Sequence, residues 1–129
     1  MFQRAYLTAQ ILGVAERAHQ GMFDAVWKGG ELAVTDPDTH RLKVPQPSIE
    51  DAARVYARLT GIKPETFLAT AHSFSVDMKM KAADSQILAM QVPGTPSLVV
   101  NGKYRVDSMG SAEELIELIR FLLDKESAR

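Results

Sequence analysis

Apolar positions recur at helical spacing from the second residue onward. Phe2, Ala5, Tyr6, Ala9, Leu12 and Gly13 predict a helix from Phe2 to about His19. No capping residue precedes Phe2, so the pattern is already under way when the chain begins, and a truncated element is expected. Met22, Phe23, Val26 and Trp27 predict a short second helix over 22–28, ended by Gly29-Gly30. The period is lost over 31–47. Asp36-Pro37-Asp38 reads as a turn there, and Pro45 and Pro47 break any helix. Leu32, Val34, Leu42 and Val44 are apolar enough to pack, so an ordered loop or lid is expected rather than a linker.

Helical spacing returns at Ser48, an N-cap with Asp51 three residues on. The helix behind it should bury Ile49, Ala52, Ala53, Tyr56 and Leu59 and stop at Gly61. Lys63-Pro64-Glu65 restarts a helix with proline at its first position, and Phe67, Leu68, Ala71 and Phe74 form its stripe. A further helix is expected from about Ser75 to Met90, with Met78, Ala82, Ile87 and Leu88 inward. Then the period changes. Ser97–Val100 and Lys103–Val106 are β-prone runs separated by Asn101-Gly102, the strongest short hairpin signal, because a type I′ turn needs positive φ at both central positions. Ser111 and Glu114 form a capping box for a last helix reaching about Lys125, with Leu115, Leu118, Ile119 and Leu122 buried. A lone hairpin is marginal in water, and the last helix is apolar over a wide face that includes Ile116 and Leu123. That face suits a larger sheet than these residues supply. The fold class is therefore α/β and mainly helical.

Composition narrows the function classes. The chain has 129 residues, 46% hydrophobic and 24% charged, ordinary for a globular domain. Fifteen basic against sixteen acidic residues give a net charge of −1, which carries no footprint for nucleic acid. No apolar run approaches the roughly 20 residues of a membrane helix, so no membrane insertion is expected. Met1-Phe2-Gln3-Arg4-Ala5 has none of the parts of a signal peptide. The sequence contains no cysteine, which excludes a disulfide framework, a thiolate metal site and a cysteine nucleophile within it.

Gly94-Thr95-Pro96-Ser97-Leu98-Val99-Val100-Asn101-Gly102-Lys103-Tyr104 is similar to the segment that ends the helical insert of DsbA-like thiol:disulfide oxidoreductases. The helix carrying Ala82, Ala83 and Asp84 before it and the capped helix after it follow the same order. The resemblance covers nearly the whole chain and is specific over residues 91 to 106. It implies a thioredoxin fold interrupted by a helical domain, with residues 1–91 as the helical insertion and 92–129 as the C-terminal part of an incomplete thioredoxin core. It also implies that the Cys-x-x-Cys helix lies upstream of Met1. In the family the proline is cis, and the residue before it pairs its backbone with substrate and faces the catalytic sulfurs. By match, substrate positioning falls to Gly94, Thr95 and Pro96, with no catalytic residue, metal or cofactor in this chain. The chemistry fits. Exchange needs a thiolate of lowered pKa and a substrate strand held beside it, and X–Pro is the bond for which cis costs only about 0.5–1 kcal/mol.

Other residues have plainer readings. His19, His40 and His72 lack metal or triad spacing, and His72 is read as a packing histidine beside Phe74. Glu50-Asp51 and Glu113-Glu114 sit in first helical turns, where capping explains them. Met78, Met80 and Met90 are read as core filling before peptide binding. Gly29-Gly30 and Gly110 have no phosphate-loop context. The expected function is a piece of a periplasmic DsbA-like oxidoreductase acting on unfolded or exported proteins, inactive alone. Two alternatives stay open: a cysteine-free peptide-binding module, and the DsbA-like branch of glutathione-dependent transferases and isomerases. The uncovered hairpin edge and terminal-helix face are expected to pair with a second copy.

Overall fold

In a computed structural model the structure describes residues 1–28, 30–107 and 110–128. Gly29, expected with Gly30 to end a helix, lies outside the described residues. Among the described residues are six helices and one two-stranded sheet. The helices are α1 (Phe2–Ile11), α2 (Ala15–Trp27), α3 (Ile49–Thr60), α4 (Pro64–Ala71), α5 (Phe74–Ala89) and α6 (Ala112–Ser127). The strands are β1 (Leu98–Val100) and β2 (Tyr104–Val106). The chain divides into two compact units, Met1–Lys81 and Ala82–Arg129. The boundary falls inside α5, upstream of the 91/92 division expected from sequence.

The first unit corrects the single helix expected over Phe2–His19. Gly13 takes φ +67°, and Leu12 ends α1. Val14 N–H donates to Ala9 O at 2.9 Å and Gly13 N–H to Gln10 O at 3.1 Å, the paired bonds of a Schellman end. Helix α2 then runs unbroken to Trp27 through Gly21, where the sequence suggested a gap. A Cβ at Gly21 would stand 2.5 Å from Leu59 Cδ2, so glycine there permits close approach of α2 to α3. Alanines do the same elsewhere. Ala5, Ala9, Ala18, Ala52 and Ala53 are all buried where α1, α2 and α3 meet, beside Phe67 of α4. The Phe67 ring stacks on Tyr56 with centroids 4.8 Å apart. Ser48 and Asp51 form the expected capping box of α3, and Gly61 ends that helix at φ +76°.

Several expected core positions are exposed. Phe74 begins α5 instead of completing the α4 stripe and is 77% exposed, because the chain breaks at His72-Ser73. His72 is exposed as well, so it is not a packing histidine. In the 31–47 loop Leu32 is fully buried, whereas Leu42 and Val44 face solvent. Asp36 orders this loop, accepting from Thr39 N–H at 2.8 Å and Thr39 Oγ1 at 2.9 Å. Val76 is the buried residue of α5; Met78, Ala82, Ile87 and Leu88 are exposed.

In the second unit β1 and β2 pair antiparallel, Val99 opposite Arg105 and Val100 opposite Tyr104. Asn101 and Gly102 take φ +51° and +66° as the Asn-Gly signal requires. The register leaves Lys103 in the turn, however, so the expected start of the second strand moves on by one residue. Helix α6 opens with the expected Ser111–Glu114 capping box and packs on β1. Leu122 is buried, Leu115 and Ile119 are half-buried, and Leu118, expected inside, is exposed together with Ile116, Phe121 and Leu123.

Candidate functional site

The site is built from the exit of α5 and the entry to β1. α5 ends in a second Schellman pattern: Val92 N–H donates to Ile87 O at 3.1 Å and Gln91 N–H to Leu88 O at 3.1 Å. Gln91 stands at φ +50°, a left-handed conformation that turns the chain away from the helix axis. Pro93-Gly94-Thr95-Pro96 follows, with a cis Thr95–Pro96 bond. Ser97 Oγ donates to the Gly94 carbonyl and closes this turn before β1 begins at Leu98. Gly94, Thr95 and Pro96 are all exposed, so the three residues singled out in the sequence form one accessible loop at the head of a strand.

Two side chains that sequence reasoning passed over tie the surroundings together. Arg105 of β2 donates from one guanidinium nitrogen to Gln91 O at 2.5 Å and Met90 O at 3.2 Å. Its Nε donates to Asp107 Oδ1 at 2.5 Å, and this bond holds the Asp107 carboxyl below its usual range. Pro93, Pro96, Ser97, Arg105, Val106 and Asp107 line an open pocket of about 260 Å³. At the far end of the hairpin Glu126 accepts from Lys103 Nζ, from Asn101 Nδ2 at 2.8 Å and from Tyr104 OH at 3.1 Å. The Lys103 bond, with those of Asn101 and Tyr104, lowers the Glu126 carboxyl to about 2. Lys125 Nζ lies 5.4 Å from the Tyr104 ring centre. A sequence signal for Glu126 existed: it falls one turn beyond Leu122 on the Leu115–Ile119–Leu122 stripe, a carboxylate on an apolar face.

The loop offers backbone groups, one hydroxyl and a proline ring. These can align and hold an extended chain; none can carry two-electron redox chemistry. The described residues hold no group of three His, Cys, Asp or Glu placed to bind a metal ion. No described helix is long and apolar enough to cross a membrane. The first unit carries a separate apolar groove of about 360 Å³, with Phe2, Tyr6, His19, Met22, Phe23 and Trp27 in its walls. The His19 and Phe23 ring centres lie 5.0 Å apart.

No family model matches the chain. It is 34% identical over 125 residues to the thiol:disulfide interchange protein DsbA of Pseudomonas aeruginosa, an alignment covering 95% of the chain and 53% of that relative. The chain is homologous to DsbA. The DsbA of Azotobacter vinelandii is 32% identical over 123 residues, covering 94% of the chain and 51% of the relative. Among solved structures, the DsbA oxidoreductase of Xylella fastidiosa superposes with a TM-score of 0.79 at 32% identity, covering 98% of this chain and 61% of that one. P. aeruginosa DsbA superposes at 0.73 and 35% identity, covering 97% and 59%. The chain thus spans about half the length of the curated DsbA relatives it matches. The shared architecture is a helical region followed by a hairpin and a terminal helix.

Proposed function

We propose that this chain is the C-terminal portion of a DsbA-like disulfide oxidoreductase, the part that holds the substrate strand. The observation that carries this reading is the exposed Gly94-Thr95-Pro96 loop at the head of β1, in a chain homologous to DsbA. Thr95 and Pro96 would contact an extended segment of an unfolded or exported protein, with Gly94 giving it access. Exchange itself requires a thiolate, which attacks a disulfide sulfur, forms a new S–S bond and expels a second thiolate. The sequence has no cysteine. On this reading the redox pair belongs to a Cys-x-x-Cys segment preceding these residues in a parent protein whose setting is the periplasm. On this reading residues 1–91 are the helical insertion and 92–129 the end of the thioredoxin-like domain.

The test has two arms on the 129-residue chain. Insulin reduction should not exceed the uncatalysed rate. A capped heptapeptide with a central S-methylcysteine should shift the amide resonances of Thr95 and Ser97; absence of any binding overturns the assignment of the loop. Turnover would overturn the division of labour. The absence of cysteine equally supports the second reading, a peptide-binding module with no redox partner segment, which the sequence upstream in the natural protein decides. The glutathione-dependent branch gains nothing from the two relatives above, both named for thiol:disulfide interchange. Exposed Ile116, Phe121 and Leu123 on α6 support pairing of two copies, and a monomeric mass by light scattering would exclude it.

A further inference from the structure

We propose that Arg105, oriented by Asp107, is a positioning residue that braces the Gly94–Pro96 loop for an incoming strand. This rests on the peptide-site reading above. The loop leaves α5 at Met90-Gln91 and joins the sheet at Leu98-Val99, and Arg105 holds both ends. Its backbone lies opposite Val99 in the ladder. Its side chain reaches back to the carbonyls of Met90 and Gln91. One residue thereby fixes the separation between the two points from which the loop hangs.

Packing beside the loop is incomplete. Pro93, Pro96, Ser97, Arg105 and Val106 line an open pocket of about 260 Å³, so side chains do not fill the space on that side of the loop. The internal bond from Ser97 to Gly94 shapes the turn but does not tie it to the rest of the unit. The bracing role needs a guanidinium. One nitrogen serves two carbonyls while Nε stays on Asp107, which sets the plane of the fork. A lysine supplies a point charge without that geometry.

The experiment uses the intact 129-residue chain and the variants R105K and D107N. Backbone order parameters for Val92, Gly94, Thr95 and Ser97 are measured by NMR relaxation, with the affinity for the same S-methylcysteine heptapeptide. R105K should lower loop order and weaken the peptide roughly tenfold, the loss expected for one charge-assisted contact. D107N should move both in the same direction by less. Order at Asn101–Gly102 and the thermal midpoint should stay near wild type, which a general loss of structure would not allow. Should R105K fold poorly, D107N keeps the comparison. Unchanged loop order and affinity in a folded variant overturn the brace. No binding by the wild-type chain overturns the peptide site itself, whatever the variants do to loop order.

Discussion

Gly13→Ala separates two descriptions of the first twenty residues by the sign of its effect. In the middle of a continuous helix, alanine would stabilise by about 0.8–1 kcal/mol over glycine. In the structure Gly13 lies beyond the end of α1 at φ +67°, and nothing lies within 4 Å of a Cβ built there. No packing gain or clash contributes, so the backbone decides alone. An L-residue in the left-handed region costs about 1 kcal/mol. The two descriptions thus differ by about 2 kcal/mol, well beyond experimental error. Urea denaturation followed by far-UV circular dichroism measures it. For a unit of this size each kcal/mol corresponds to about 4–8 °C in thermal midpoint, so Gly13→Ala should lower the midpoint by that amount. Gly13→Asn should recover part of the loss, because asparagine tolerates the left-handed region better. A midpoint raised by Gly13→Ala would refute the break between α1 and α2.

Phe67→Ala should cost about 3–5 kcal/mol, since the ring is fully buried against Tyr56, whereas Phe74→Ala should stay within about 0.5 kcal/mol; comparable losses in denaturant melts would contradict the end of α4 at His72. Ser48→Ala removes the capping bond to Asp51 N–H and should destabilise by about 1 kcal/mol, read from the same melts. Glu126 carries a pH dependence with a definite sign. Its folded pKa of about 2 lies below the ordinary 4.5, so its stabilising contribution is complete above pH 4.5 and is lost as pH falls toward 2. Resonances of Asn101 and Tyr104 should track that loss, and Glu126→Gln should flatten it; identical acid profiles would show that Glu126 does not anchor the turn.

Local rules were legible wherever one or two residues decide the backbone. Ser48 with Asp51 and Ser111 with Glu114 cap their helices as their spacing dictates. Pro64 starts α4, and Asn101-Gly102 makes the hairpin turn because both positions accept positive φ. The Gly94–Pro96 loop and its family likeness were visible for the same reason: proline, glycine and a β-prone run are local signals. Burial was less legible, because helical spacing names a face without naming what covers it. Phe67 and Phe74 share a face only if the helix continues, and it ends at His72. Leu88 and Leu118 read as interior and lie exposed, because no other described side chain covers their faces.

The sequence by itself determined where helices are capped, where the hairpin turns and which loop begins β1, since those depend on the dihedral preferences and hydrogen-bonding groups of neighbouring residues. Only the tertiary structure decided that Gly13 is a break while Gly21 is a close contact with Leu59, for the two glycines differ in what surrounds them and not in themselves. It also decided the long-range bonds. Arg105 meets the carbonyls of Met90 and Gln91, and Glu126 meets Asn101, Lys103 and Tyr104, across separations in the chain that no periodicity encodes.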